Sequence, residues 1–200
     1  QWAARSAIED FDQSQEKVSV IPYGANLMST PLRENALERQ VSDECQFLFI
    51  GKDWERKGRR IAFETMTRLL ERGRNVSMVA VGCAPDVSHP RLRVIPFLNK
   101  QKPDDAALYD ELWRTSHILF QPSFQETFGA VYAEAAANGM PVVARRTGGV
   151  PSAVVDGTTG VLLDPNATID DYCSAIEGLL DDAGAYATLC LGARSISNPR

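Results

Sequence analysis

The sequence predicts an α/β fold, in which helices cover both faces of a mostly parallel β-sheet. Apolar, strand-like runs alternate with amphipathic helical segments from residue 46 to about residue 194, and this alternation is typical of parallel sheets. The run QFLFIG at residues 46–51 is almost continuously apolar, as in a strand buried on both faces. A hydrophobic content of 44% in 200 residues is enough to build a core.

The composition describes a soluble globular domain and disfavours several classes of function. No run approaches the roughly 18 apolar residues of a membrane helix, and no signal peptide opens the chain. The net charge of −5 argues against non-specific nucleic-acid binding. Four scattered cysteines without a C-x-x-C pair make a zinc site unexpected and suit a reducing, cytoplasmic location. His89 and His117 have no partner at metal-ligand spacing, so no metal is expected.

The beginning of the chain is predicted to hold one helix and one strand. Residues 2–15 alternate apolar and charged positions like a short helix, and VSVI at residues 18–21 is typical of a strand. PYGAN at residues 22–26 is a turn sequence, because it combines proline with glycine. The polar residues 29–44 are predicted to form a loop with at most one helical turn.

The strand at residues 46–51 begins a regular succession of elements. A helix over residues 59–72 follows it, and Gly73 ends that helix. Its apolar face is made of Ala62, Met66, Leu69 and Leu70. The next elements are strands at 76–82 and 92–97, a helix at 104–114, and strands at 117–123 and 141–145. The inward residues of the 104–114 helix are predicted to be Ala107, Leu108, Leu112 and Trp113. The last elements are a short helix at 150–157, a strand at 158–165 and helices at 169–180 and 184–194.

Two acids, Glu126 and Glu134, stand eight residues apart around the start of another predicted helix. Apolar residues at helical spacing predict this helix over residues 127–138, and Gly139 is its stop signal. A rise of about 1.5 Å per residue separates the two acids by roughly 12 Å. The two carboxylates of a glycosidase lie within about 5–10 Å of each other, because both act on one anomeric carbon. We therefore expect this pair to contact two ends of one long ligand.

The start of this helix predicts that the middle of the ligand is anionic, because a helix N-terminus attracts phosphate. The N–H groups expected there are those of Thr127, Phe128, Gly129 and Ala130. A nucleoside diphosphate sugar fits, with the hexose at the first acid, the diphosphate over the helix start and the ribose at the second acid. The alternative is that the first acid caps the helix and the second is a solvated charge.

The segment E-T-F-G-A-V-Y-A-E at residues 126–134, with the later G-M-P-V-V-A and G-G-V-P, resembles the signature of retaining glycosyltransferases of the GT-B type. It is most similar to family 4, and I-P-x-G-x-[D/N] at residues 21–26 is similar to that family as well. The resemblance covers about residues 18–190. It implies a Rossmann-like donor-binding domain, the C-terminal half of a GT-B fold, in which Glu126 contacts the donor sugar and Glu134 the donor ribose.

The resemblance also implies a domain organisation and a reaction. Residues 1–17 would be an interdomain linker helix and residues 18–200 the nucleotide-sugar-binding domain, with the acceptor-binding half preceding residue 1. The enzyme would move a hexosyl group from a UDP-, GDP- or ADP-sugar to an acceptor, with retention and without a metal or cofactor. The acceptor (a glycan, a lipid or a small molecule) would bind mainly to the other half, which would also make any membrane contact. We expect the present chain alone to bind nucleoside diphosphate weakly and to turn over little.

The loop KDWERKG at residues 52–58 is expected to supply the cations of this reaction. A departing diphosphate carries negative charge, and fixed cations stabilise that charge in the transition state. Lys57 matches the lysine of the family, whereas Lys52 stands where the family usually has arginine and cannot make arginine's bidentate hydrogen bonds. Either Lys52 takes this role or Arg56 takes part. Gly51, just before the loop, is assigned to the donor site. Taken alone, the loop would be interpreted as a solvated charged turn.

Two further segments are assigned to the donor site. The pair Gly148 and Gly149 can bring backbone N–H groups close to phosphate or sugar oxygens. The family commonly has glutamate after the next proline, where this chain has Ser152. Phe97 and Leu98 follow a strand and would form the nucleobase site through backbone groups. Because ligands of parallel sheets bind beyond the carboxyl ends of the strands, the loops after residues 51, 122 and 144 are expected to share one edge.

Three alternatives to a transferase remain open at this point. A non-catalytic nucleotide-sugar-binding module would bind donor without releasing diphosphate. A GT-B sugar-nucleotide epimerase would convert donor without an acceptor. An interaction domain of the flavodoxin type would bind ligand no differently when Glu134 is changed to alanine.

Overall fold

The computed structural model describes residues 2–21, 24–27, 39–40, 43–84 and 86–196 of the chain. The strands of this part are β1 (Cys45–Ile50), β2 (Val76–Val81), β3 (Leu92–Ile95), β4 (Ile118–Gln121), β5 (Val142–Arg145) and β6 (Gly160–Leu163). The α-helices are α1 (Trp2–Glu9), α2 (Arg59–Glu71), α3 (Pro103–Thr115), α4 (Ala130–Ala137), α5 (Val150–Ala153), α6 (Ile169–Asp181) and α7 (Ala183–Ile196). One 3-10 turn, Gln15–Lys17, follows α1.

The strands form a single parallel sheet in the order β3-β2-β1-β4-β5-β6. The chain builds outward from β1 in one direction and then from β4 in the other, which is the strand order of Rossmann-like folds. The reversal leaves a crevice at the carboxyl ends of β1 and β4, where ligands of such sheets bind. The predicted α/β class with a parallel, helix-covered sheet is confirmed.

An apolar core lies on each face of the sheet. Phe47 and Phe49 of β1 pack with α2, α6 and α7, whereas Leu48 between them packs with α3, α4 and α5. All residues of β2 are buried, as expected for a strand covered on both sides. This double burial explains why the strand sequences are continuously apolar instead of alternating.

The predicted strand at residues 18–21 is wrong. The structure assigns no regular element there, and Val20 and Ile21 are 54% and 86% exposed. A strand needs a neighbouring strand to pair with, and this segment pairs with neither edge strand of the described sheet, β3 or β6. Residues 22–23 of the predicted turn, and most of the loop predicted at residues 29–44, lie outside the described residues.

Three details of the predicted helices are also corrected. Helix α4 begins at Ala130 and not at residue 127, because Gly129 has φ +79°, outside the helical region. The helix predicted at residues 150–157 ends at Ala153, since Val154 adopts extended backbone. In α3, Ala107 is exposed and Tyr109 points inward, so the apolar face is rotated from the predicted one.

A buried arginine joins the ends of two helices on one side of the sheet. The Arg39 guanidinium donates to the carbonyl oxygens of Trp113 (2.7 Å), Ser116 and Asn138 (3.4 Å). These carbonyls lie at the C-terminal ends of α3 and α4, where the last C=O groups of a helix lack intrahelical partners and the helix dipole favours a cation. Burial lowers the pKa of Arg39 from its ordinary value. Arg39 therefore caps two helices at once.

The stability of the domain should depend on His117, which precedes β4. Its Nδ1 accepts a hydrogen bond from the Gln46 N–H at 3.0 Å, and burial together with the Arg39 charge holds the pKa of His117 below its ordinary value of 6.5. The unfolded chain therefore binds this proton more readily than the folded one. We expect the urea midpoint to fall as pH drops from 7.5 through 6.5 toward 5, and this dependence to weaken in His117→Asn.

The other histidine of the chain provides the matched control for this experiment. The variant His89→Asn should keep the pH dependence of the wild-type protein, because the titration invoked belongs to His117. An equal slope of urea midpoint against pH in wild type and His117→Asn would show that other groups carry the effect.

Candidate functional site

A groove of about 430 Å³ opens at the carboxyl ends of β1 and β4. It lies at the crevice between the two halves of the sheet, so its walls come from the loop after β1, the loop after β4 and the first turns of α4. Most of the residues assigned to the site from the sequence line it. They are Gly51, Lys57, Glu126, Thr127, Phe128, Gly129, Ala130 and Glu134.

The loop after β1 is folded so that Lys57 points into the groove. The Lys57 N–H donates to the Asp53 carbonyl at 3.0 Å, which closes a helical turn before α2. A Cβ added to Gly51 would lie 2.6 Å from Lys57 Cγ, so glycine leaves the room that the lysine stem occupies. Gly58 has φ +83°, and a Cβ there would lie 2.1 Å from the Pro122 carbonyl oxygen. Gly58 therefore lets the β1 and β4 loops approach closely, and Gly51 leaves space for Lys57 inside the β1 loop.

Lys57 forms an ion pair with Glu126 inside the groove. The side chains are only 10% and 8% exposed, so each charge depends on the other for compensation. An ammonium group has three N–H donors, and the contact with Glu126 uses one of them. The pair therefore offers a fixed, partly desolvated cation with donors left for an anionic ligand.

Arg56 supports the loop that carries Glu126. Its guanidinium donates to the Gln125 carbonyl at 2.8 Å, and the Phe124 N–H donates to the Arg56 carbonyl at 2.9 Å. Lys52 is exposed and does not line the groove. Arg56 therefore helps to hold the β4 loop in place, and the role predicted for Lys52 stays a prediction.

The start of α4 differs from the sequence-based expectation. The helix begins one residue after Gly129, so the N–H groups of its first turn are those of Ala130, Val131 and Tyr132, and the last of these donates to the Gly129 carbonyl at 3.0 Å. Thr127 and Phe128 belong to the preceding loop. The helix N-terminus still faces the groove, because Ala130 and Val131 line it.

The glycine pair before α5 packs against the backbone of the β4 loop. The Gly149 N–H donates to the Glu126 carbonyl at 3.1 Å, so this N–H is already occupied. A Cβ on Gly148, whose φ is +49°, would lie 1.9 Å from that same carbonyl oxygen, and one on Gly149 would lie 1.7 Å from the Thr127 oxygen. These contacts account for both glycines, and their predicted contact with a donor stays a prediction.

Glu134 is buried one turn down α4 and is held by two side chains from the region after β3. The Tyr109 hydroxyl donates to Glu134 Oε2 at 2.7 Å, and Lys100 Nζ lies 3.0 Å from Oε1. Burial and the adjacent carboxylate raise the pKa of Tyr109, which keeps this hydroxyl protonated as a donor. Sequence reasoning missed Lys100, since nothing in the polar run around it indicates a contact with an acid 34 positions later.

The proposed nucleobase residues lie directly after β3. Phe97 is 67% exposed, whereas Leu98 is half-buried against the core that contains α3. Neither residue lines the groove. Among the described residues, no group of three or more His, Cys, Asp or Glu is placed to hold a metal ion, and no helix has the length and apolarity to cross a membrane.

Comparison with protein families and curated proteins identifies relatives of this chain. Residues 44–182 match the family described as "Glycosyl transferases group 1". The D-inositol 3-phosphate glycosyltransferase of Corynebacterium aurimucosum is 32% identical over 199 residues, covering 89% of this chain and 46% of that protein. The enzyme of the same name from Kribbella flavida is 31% identical, covering 93% and 48%. The chain spans about half the length of the curated relatives it matches.

Solved structures share the fold. WaaG, a glycosyltransferase involved in lipopolysaccharide biosynthesis, superposes with a TM-score of 0.76 at 17% identity, covering 96% of this chain and 55% of WaaG. Anabaena HepE, in complex with UDP and glucose, gives a TM-score of 0.73 at 20% identity, covering 98% and 56%. The C-terminal domain of LpcC from Francisella tularensis gives 0.62 at 17% identity, covering 87% of this chain and 92% of that domain.

The resemblance to GT-B glycosyltransferases inferred from the sequence is confirmed by these comparisons. The matched region includes Lys57, Glu126 and Glu134, the charged residues that line the groove. Because the family match covers more than half of the chain, this chain belongs to the group 1 glycosyltransferases.

Proposed function

We propose that this chain is the donor-binding domain of a retaining glycosyltransferase, which moves a hexosyl group from a nucleoside diphosphate sugar to an acceptor. The observation that carries the proposal is that Lys57, Glu126 and Glu134 line one groove. This groove lies at the reversal of strand order, where Rossmann-like sheets bind nucleotides. An elongated ligand with a charged centre would contact all three residues at once.

The relatives support a nucleotide sugar as the ligand. HepE has been crystallised with UDP and glucose and with UDP-glucose, and the curated relatives carry the name of a glycosyltransferase. All four cysteines are buried free thiols, which supports a reducing compartment such as the cytoplasm.

The proposed reaction breaks the bond between the anomeric carbon and the β-phosphate oxygen, and forms a bond from that carbon to an acceptor oxygen on the same face. The departing phosphate oxygen takes the acceptor proton. Negative charge grows on the diphosphate because its bond to the sugar breaks, and Lys57 would stabilise this charge more strongly in the transition state than in the ground state. No metal or cofactor is part of the proposal.

Glu126 has two roles in this proposal. As the partner of Lys57, it fixes the ammonium group in a partly desolvated position. As a carboxylate beside the groove, it can accept hydrogen bonds from sugar hydroxyls and orient the hexose. Glu134, one turn further down α4, would accept hydrogen bonds from the ribose. The helix N-terminus between the two acids would face the diphosphate.

The proposal is tested by measuring the binding of UDP, GDP and ADP to this chain by calorimetry and ligand-detected NMR. We expect one of the three to bind, and the variant Lys57→Met to weaken its affinity at least about tenfold, because the variant removes a charge-assisted phosphate contact. Lys17→Met, which changes an exposed lysine far from the groove in sequence, should leave the affinity unchanged.

Two results would contradict the proposal. One is that none of the three nucleotides binds to the folded chain at millimolar concentration. The other is that folded Lys57→Met binds the selected nucleotide as tightly as wild type, since a groove that does not use Lys57 is not the donor site described above.

A further inference from the structure

Lys100, in the loop between β3 and α3, contacts Glu134, one of the residues that line the groove. Its ammonium group contacts Glu134 Oε1 and the Asn26 carbonyl oxygen, each at 3.0 Å, and lies 3.9 Å from the centre of the Tyr109 ring. Two hydrogen bonds and one cation–π contact thus hold the charge in place. The side chain is 26% exposed, against 5% for Glu134.

The position of Glu134 creates an electrostatic problem for an anionic ligand. Glu134 is four residues, or about 6 Å of helical rise, along α4 from the helix start at Ala130. Attraction of phosphate to a helix N-terminus is modest, whereas a buried, unpaired carboxylate at this distance would repel a diphosphate through a medium of low dielectric constant. The pairing with Lys100 makes the net charge of this end of the groove zero.

We infer that Lys100 determines specificity in this groove: it neutralises Glu134, so that the carboxylate can bind sugar hydroxyls while a diphosphate binds one helical turn away. The inference rests on the proposed function, because it deepens the account of the same groove. It assigns Lys100 a role in choosing a nucleoside diphosphate over an uncharged nucleoside. Lys100 does not contact the reacting atoms in this account.

Tyr109 supplies a control that separates neutralisation of the Glu134 charge from positioning of its carboxylate. Its hydroxyl donates to the other oxygen of the same carboxylate, so Tyr109→Phe removes a hydrogen bond without changing any charge and keeps the ring under Lys100. With UDP and uridine standing for the nucleotide selected above and its free nucleoside, a loss of positioning should weaken the binding of both alike. A loss of charge compensation should weaken UDP alone, because only UDP carries the diphosphate.

The test compares the affinities of UDP and uridine, by calorimetry and ligand-detected NMR, in wild type, Lys100→Met, Lys100→Arg and Tyr109→Phe. We expect Lys100→Met to lower the affinity for UDP at least about tenfold and the affinity for uridine less than about threefold. Lys100→Arg should keep most of the UDP affinity, since it keeps the charge. Tyr109→Phe should change both ligands by similar, small factors. The UDP loss in Lys100→Met should shrink between about 0.05 and 0.5 M NaCl, because salt screens the repulsion.

The outcomes separate this inference from the function on which it rests. If wild type binds UDP but Lys100→Met, folded by circular dichroism, binds it equally well, the inference is wrong and the proposed function stands. Equal losses of affinity for UDP and uridine would show that Lys100 has only a structural role. If uridine binds too weakly to measure, a UDP loss that does not change with salt would likewise show a structural lysine. If wild type binds no nucleotide, both ideas fail together.

Discussion

Replacing Gly149 with alanine should destabilise the domain by about 2–3 kcal/mol and remove nucleotide binding. The added Cβ would lie 1.7 Å from the Thr127 carbonyl oxygen and 2.7 Å from its carbonyl carbon, and backbone atoms cannot move aside as the end of a flexible side chain can. The two segments must separate, which would also break the hydrogen bond from the Gly149 N–H to the Glu126 carbonyl. Urea unfolding and UDP calorimetry measure the two effects.

A glycine in α6 provides the matched control. A Cβ on Gly178 meets no atom within 4 Å, and its place inside a helix means that alanine should stabilise the domain by roughly 0.5–1 kcal/mol. The same substitution is thus expected to lower the free energy of unfolding at Gly149 and to raise it at Gly178. A Gly149→Ala protein as stable as Gly178→Ala, with UDP affinity intact, would disprove the close packing described for the glycine pair.

Replacing Arg39 with methionine should cost about 2–4 kcal/mol of unfolding free energy. Methionine fills much of the space but donates no hydrogen bond, so the carbonyls of Trp113, Ser116 and Asn138 lose their buried donor. The exposed Arg60 is the control, because its contact with Glu64 is a surface ion pair at 3.6 Å. Arg60→Met should change stability by less than about 0.5 kcal/mol.

Urea unfolding of the two arginine variants, followed by circular dichroism, decides this prediction. If Arg39→Met unfolds at the same urea concentration as Arg60→Met, the three carbonyls have found other donors and the double cap does not contribute to stability. A large loss in Arg39→Met alone supports the cap.

The sequence was sufficient to predict the sheet and the edge at which the site lies. Continuous apolar runs identify strands buried on both faces, and alternation with helices then requires parallel pairing. The rule that ligands bind beyond the carboxyl ends of such strands placed Lys57 and Glu126 near each other, although they are 69 positions apart. This is a case in which topology turns distant residues into neighbours.

The details that were missed depend on contacts which no local pattern records. The backbone of Gly129 leaves the helical region beside a loop that packs on the glycine pair before α5, so helical spacing alone placed the start of α4 three residues early. Lys100 and Arg39 stand in polar segments without periodicity, and their partners lie far along the chain. A polar residue that acts through long-range contacts has no signature in one sequence.

The capping of two helices by Arg39 has a practical consequence for the design of shortened versions of this domain. The family match begins at residue 44, and a shortened protein cut at that boundary would keep every strand and every groove residue but would lose Arg39. The carbonyl oxygens at the ends of α3 and α4 would then need water or some other donor at a buried site. Expression boundaries for work on the isolated domain should therefore be placed upstream of this arginine, even though the family match starts after it.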